Sequence, residues 1–150
     1  MKFKFTYMLL SLVAIIAMSC GAKKSSNPTP TLPDGTYSGQ FRLIHIHDDN
    51  TADTTKANIA VYISPVSTAT YAVTGDTTTV HAGSKGNFVF YSNGTVQFAD
   101  KTYSATAPVT KTHLNGLYAY AFDGNIFRMV AYGGTANNLV LQYDLVKTGN

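Results

Sequence analysis

The sequence predicts an all-β domain over residues 34–150, an antiparallel meander closing into a small barrel of eight or nine strands. Three observations predict it. The 150-residue chain has no glutamate and much threonine, tyrosine, valine and phenylalanine, which disfavours helices and suits half-buried strands. From Gly35 onward apolar residues recur at every second position, as in Leu139, Leu141, Tyr143 and Leu145. Asn-Gly and Asp-Gly pairs punctuate these alternating runs, and such pairs are the strongest short-range hairpin signals.

In chain order, Thr36 to His47 reads as a long first strand, and "DDNTADTTK" after it as a polar loop. Ala57 to Ser64 follows, with Ile59, Val61 and Ile63 on one face. Tyr71 to Thr74 leads through Gly75-Asp76 into Thr77 to His81. Asn87 to Ser92 turns at Asn93-Gly94 into Thr95 to Ala99, and Leu114 to Phe122 turns at Asp123-Gly124 into Asn125 to Tyr132. Type I′ geometry is expected at these turns, because it takes positive φ at both central residues. Asn138 to Lys147 is the last strand. Connections this short favour a meander, and closing it removes both aggregation-prone edges. A two-sheet β-sandwich is the alternative, and it needs longer crossovers.

Gly35-Thr36-Tyr37, opening the first strand of such a meander, resembles the lipocalin and avidin group of small barrels. In that group a glycine and an aromatic begin strand one and plug the barrel floor. Tyr37 stands where a tryptophan is usual, and this chain has none. The resemblance implies a lipocalin-like barrel that holds a small apolar or amphipathic ligand inside.

The N-terminus carries a second resemblance. Lys2 and Lys4 precede an apolar run from Met8 to Ile16, too short to span a bilayer but right for a secretory signal. Ala17-Met18-Ser19-Cys20-Gly21 then resembles the lipobox of bacterial lipoproteins. That implies a signal peptide at 1–19 and a Cys20 carrying diacylglyceryl and a fatty acyl chain such as palmitate. Residues 20–33, with "GAKKSSNPTPTLP", form a flexible tether too poor in apolar surface to fold. Gly21 in place of aspartate implies the outer membrane, with the periplasmic face preferred to the cell surface. The membrane is then the partner, reached through the acyl anchor. Cys20 is also the single cysteine, so no disulfide framework is expected.

The formal charge of +3 suggests a nucleic-acid partner until the charges are placed. From Asp34 onward seven basic residues face eight aspartates, leaving about −1 and no basic stripe for a phosphate backbone. No nucleic-acid partner is expected.

Chemistry is sparse. His45 and His47 share a strand face about 6.6 Å apart, a spacing that suits two ligands of one metal ion. A nine-strand count puts His81 and His113 about 20 Å away at the opposite end, so a metal site lacks its third ligand and none is assigned. Interior candidates for ligand contact are Tyr37, Phe41 and Leu43, joined by Arg128, which sits between Phe127 and Met129 and points inward or outward by register. Tyr118, Tyr120 and Phe122 form an aromatic face that is core if inward and a protein or glycan patch if outward. Ala60, Ala72, Ala119, Ala121 and Ala131 would open a pocket if they face inward. No nucleophile and base pair is visible and no cofactor is implied, so catalysis is not expected. Asp53–Thr55 and Asp76–Thr78 resemble the O-glycosylation acceptor of some envelope proteins, and Asn93-Gly94-Thr95 fits a sequon. The expected function is ligand binding inside the barrel or, as the alternative, a structural or accessory role through surface protein or glycan contacts.

Overall fold

A computed structural model describes residues 31–103, 110–133 and 138–150; Cys20, the expected signal peptide and most of the expected tether lie outside them. Eight strands form: β1 (Gly35–Ile46), β2 (Ala52–Ile63), β3 (Thr70–Gly75), β4 (Lys85–Tyr91), β5 (Thr95–Asp100), β6 (Gly116–Phe122), β7 (Ile126–Gly133) and β8 (Leu139–Gly149). Each pairs antiparallel with the next, and β8 returns to β1, so the meander closes as a barrel and the sandwich is excluded.

The ninth expected strand, Thr77–His81, does not form. Gly75 takes φ of +93° and turns the chain out of the sheet. Asp76 then accepts hydrogen bonds from the Thr78 and Thr79 hydroxyls at 3.2 and 3.0 Å, winding a local turn in place of a hairpin. Residues 76–84 instead cross the upper end of the barrel. Thr112 N donates to Val80 O at 2.9 Å, Ala82 N to Thr112 O at 2.8 Å, and Leu114 N to Ser84 Oγ at 3.1 Å. Segments 76–84 and 110–115, joined by a single parallel bridge between His81 and Thr112, thus make a plug.

Removing one strand reverses the direction of every later one. His113 therefore precedes a descending β6 and lies at the end where β1 finishes, the same end as His45 and His47 and not the opposite one. His81 is inside, packed on Phe41 at 4.7 Å. The expected separation of the histidines to opposite ends is corrected by that parity. An even count is also what lets β8 close antiparallel on β1.

The polar stretch after β1 is shorter than its composition suggests. His47 N donates to Thr51 O at 2.9 Å, Asn50 takes φ of 63°, and β2 is already paired from Ala52. The β4–β5 turn is a three-residue loop, not type I′: Tyr91 pairs with Thr95 and only Gly94 has positive φ. Asn93 is held out of the left-handed region by its own side chain, which accepts from Thr95 N at 3.2 Å and Thr95 Oγ1 at 2.7 Å.

Alternation sorts the faces as expected. Tyr37 and Phe41 of β1, Val61 and Ile63 of β2, and Tyr143 and Leu145 of β8 are buried inside. Phe127 and Met129 of β7 are buried too, which puts Arg128 outside, its side chain 63% exposed. There Asp144 receives Arg128 Nε at 3.2 Å and Arg42 Nη1 at 2.5 Å on the outer wall. Arg128 is therefore not an interior residue; a guanidinium inside would lack the carboxylate it finds outside. Tyr118 is wholly buried and Tyr120 and Phe122 pack on the core, so the aromatic face is core. Tyr37 closes the floor, meeting Phe127 at 5.5 Å and Phe122 at 6.0 Å, while its hydroxyl donates to Asp34 O at 2.9 Å. Full burial of an aromatic this size stabilises by about 2–3 kcal/mol before side-chain entropy is set against it.

Candidate functional site

Aromatic rings fill the middle of the barrel. Tyr71 meets Phe98 at 4.9 Å, Phe88 meets Phe90 at 5.2 Å, and Tyr118 meets Tyr143 at 5.6 Å. The alanines do not hollow it. Ala60, Ala72, Ala119 and Ala121 alternate with buried residues and face outward, leaving Ala131 alone inward against the core.

Space appears instead at the mouth, and the strand lengths explain why. β3 pairs with β2 only along Ile59–Ile63, and β4 pairs with β3 at three positions. The long strands β8, β1 and β2 therefore rise above their short neighbours as a wall whose inner face continues the core pattern. Leu43, Leu139 and Leu141 on that wall are only half-buried. The plug lies across from them and supplies Val80, Thr110, Lys111, Thr112 and His113. A cleft of about 560 Å³ remains between wall and plug, edged also by Tyr103 and Asn115. Its floor is apolar, its rim polar, and its volume lies within the range of small-molecule sites.

One rim residue is rigidly held. His113 Nδ1 donates to Asp100 Oδ2 at 2.7 Å, and the Asp100 side chain is wholly buried. Thr102 N and Thr102 Oγ1 also donate to Asp100, at 2.7 and 2.6 Å. Burial alone would raise the Asp100 pKa, but these donors outweigh it and hold the carboxyl below its usual range. Tyr103 packs edge-on against the His113 ring at 5.4 Å. This pair was missed in the sequence, where thirteen positions separate its members. The signal that points to half of it is Asp-x-Thr: in Asp49–Thr51, Asp76–Thr78 and Asp100–Thr102 the aspartate accepts from the threonine two positions on.

A second histidine is held beneath the plug. His81 Nδ1 donates to Ala82 O at 2.6 Å, so the neutral ring offers Nε2 to the Tyr143 hydroxyl at 2.9 Å. Burial depresses the His81 pKa to about 4, with Ala82 opposing. Burial likewise raises the Tyr143 and Tyr71 hydroxyls and pushes Tyr118 to about 12. Tyr71 Oη donates to Leu114 O at 2.5 Å, whereas Tyr118 Oη is buried without a partner of good geometry among the described residues.

His45 and His47 do come together, ring centroids 4.7 Å apart. Each is otherwise engaged: His47 Nε2 donates to Asp53 Oδ2 at 2.9 Å, and Asn138 Nδ2 donates to His45 Nε2 at 3.2 Å. Among the described residues no group of three or more His, Cys, Asp or Glu is placed to hold a metal ion. Asp53–Thr55 lies in exposed β2 and Asp76–Thr78 in the turn that opens the plug.

No family model, curated protein or solved structure matches this chain. The eight-stranded antiparallel barrel is compatible with a lipocalin-like architecture. Of the interior candidates, Tyr37 and Phe41 are packing residues and only Leu43 lines the cleft.

Proposed function

We propose that the protein is a lipid-anchored envelope lipoprotein whose barrel holds a small apolar or amphipathic ligand without catalysing a reaction. One observation carries the binding half: Leu43, Val80, Leu139 and Leu141 stay together as an accessible apolar floor on a barrel whose middle is filled. Such a floor costs free energy in water and gains it when covered. The ligand place is thus the mouth and not the barrel centre. Mass spectrometry of natively purified protein under non-denaturing conditions should find a stoichiometric bound molecule that organic extraction releases. Leu141→Trp, which fills the cleft from its floor, should remove that mass while circular dichroism still reports strand. A bound mass that survives Leu141→Trp would place the ligand elsewhere and sink the cleft reading.

The anchoring half rests on the charge, apolar run and lipobox order ending at Cys20. Gly21 behind it supports outer-membrane attachment, and Lys23 and Lys24 in place of an acidic stretch support the periplasmic face. Cys20→Ser should leave the protein unprocessed or free in the aqueous phase on detergent partitioning. Unchanged partitioning of that variant would end the lipoprotein reading.

A second reading draws on the outer wall. Val89 and Leu117 are each more than half exposed and flank Gln97 in register on β4, β5 and β6, with Tyr91 nearby. Such a face supports an accessory role through protein or glycan contacts.

A further inference from the structure

The mouth cleft joins an apolar floor to one imidazole whose tautomer is fixed from behind, and that tautomer selects the head of the ligand. We propose that the cleft takes a neutral apolar molecule ending in a hydroxyl, which donates its hydrogen to His113 Nε2 while its chain lies on Leu43, Val80, Leu139 and Leu141. The inference rests on the cleft being the ligand site, as read above.

The tautomer follows from Asp100. Its carboxylate accepts from Thr102 N and Thr102 Oγ1 at 2.7 and 2.6 Å. An ionised carboxyl has no hydrogen to give, so His113 Nδ1, 2.7 Å from Oδ2, carries the one they share. In the neutral ring Nε2 is then a bare lone pair, an acceptor and not a donor. It lies across the ring from the wholly buried Asp100 side chain, and the His113 side chain keeps 21% exposure where it lines the cleft. Among the described residues nothing donates to it. Tyr103 packs edge-on at 5.4 Å, so the ring cannot turn to offer Nδ1 instead without losing both contacts.

The rest of the rim narrows the choice of head. Lys111 Nζ donates to Thr77 O at 2.9 Å, which stations an ammonium at the cleft with two hydrogens to spare. A hydroxyl gives its hydrogen to Nε2 and leaves its oxygen to accept at this rim. A carboxylate brings a lone pair to a lone pair at Nε2, and an ether has no hydrogen to give. An ammonium has hydrogens but meets the like charge of Lys111, and the described lining holds no aspartate or glutamate to offset it. The charged and titratable groups around the ring are Asp100 from β5, Tyr103 and Lys111 from the adjoining segments, and His81, which burial keeps neutral.

The test titrates octanol, its methyl ether and octanoate calorimetrically into the purified full-length protein near neutral pH. Octanol should bind about fivefold or more tighter than the ether, the ratio expected of one hydrogen bond to an acceptor otherwise left bare. It should also bind tighter than octanoate. Nitrogen resonances should show Nε2 of His113 without a hydrogen of its own and shifted on adding octanol. Acid should bring the octanol-to-ether ratio to about one, because a protonated Nε2 donates to either oxygen. His113→Asn sets an amide donor where Nδ1 stood, keeping the bond to Asp100, and places nothing at Nε2. It should likewise equalise octanol and ether, whereas a purely structural role for His113 would weaken both and preserve their ratio. If His113→Asn does not fold, the wild-type ratio, its pH profile and the Nε2 resonance decide. Equal binding of octanol and ether by the wild type, or octanoate binding tightest, would overturn the hydroxyl inference and leave the cleft reading standing. Failure of all three probes to bind would overturn both.

Discussion

Gly39→Ala should lower the melting temperature of the barrel by about 15 °C. Gly39 sits on β1 with the inward parity of Tyr37 and Phe41, where a larger apolar residue would ordinarily pack. Here β8 crosses too close. A Cβ at Gly39 would overlap the Asp144 carbonyl oxygen and stand 3.0 Å from Leu145 Cα. Both are backbone atoms in a ladder that pairs β1 with β8 from Tyr37 to His45, so no side chain can swing aside to relieve them. Gly86 is the same device on β4, where a Cβ would overlap Ala99 O. Strand glycines of this kind mark the tight bends that let a small sheet curl shut. Forcing the ladder apart should cost about 3 kcal/mol or more. Gly83→Ala is the control: its nearest neighbour would be 3.7 Å from the new carbon. It should stay within about 0.5 kcal/mol of wild type. Gly39→Ala melting like that control would show that β1 and β8 can separate freely.

Acid should destabilise the fold through His81. The ring binds its proton at about pH 4 in the folded protein, against an ordinary value of 6.5 once unfolding exposes it. Between those two values the unfolded chain holds more protons, so stability is fully present above 6.5 and is lost as pH falls towards and through 4. A separation of about 2.5 units corresponds to about 3 kcal/mol. The cause is geometric: the ring is fully buried against Phe41, with Nδ1 donating to Ala82 O and Nε2 accepting from Tyr143, and neither position admits a second proton without breaking a bond. Asp100, held below its usual range, adds a loss of the same sign as pH falls through its folded value. Urea unfolding at several pH values between these limits measures the slope. His81→Leu alone takes the partner from the buried Tyr143 hydroxyl and leaves Ala82 O only the long bond from Ser84 Oγ at 3.4 Å, at about 1–3 kcal/mol near neutral pH. His81→Leu with Tyr143→Phe removes the unpaired hydroxyl and should recover part of that loss. Both variants should lack most of the wild-type acid slope; a slope that persists in them would assign the acid sensitivity to other groups.

Strand positions were largely legible because the signals behind them are local. Alternation placed Ile59, Val61 and Ile63 on one face, and all three are buried as that pattern requires. Turn chemistry was legible too, though read too coarsely. Asn93-Gly94 does join two strands, but the bond from Thr95 to the Asn93 side chain keeps only the glycine left-handed and makes a three-residue loop. At Gly75-Asp76 the same chemistry misled, since Asp76 binds its own threonines and the chain leaves the sheet. That one turn changed the strand count, and with it the end of the barrel at which His113 lies.

Local patterning in the chain makes the domain all-β and sets which side chains of a strand share a face. Each depends on residues within a few positions of one another, so the interactions responsible are written consecutively in the chain. Pairing between distant strands is what turns Arg128 outward to share Asp144 with Arg42 and brings Asp100 to clamp His113. The same long-range pairing leaves the cleft at the mouth. These follow from the relative heights of strands around a closed barrel, where β3 and β4 stop short while β8, β1 and β2 continue. Strand tilt and stagger are set by closure of the whole sheet, a condition on all eight strands together that no single stretch of sequence carries.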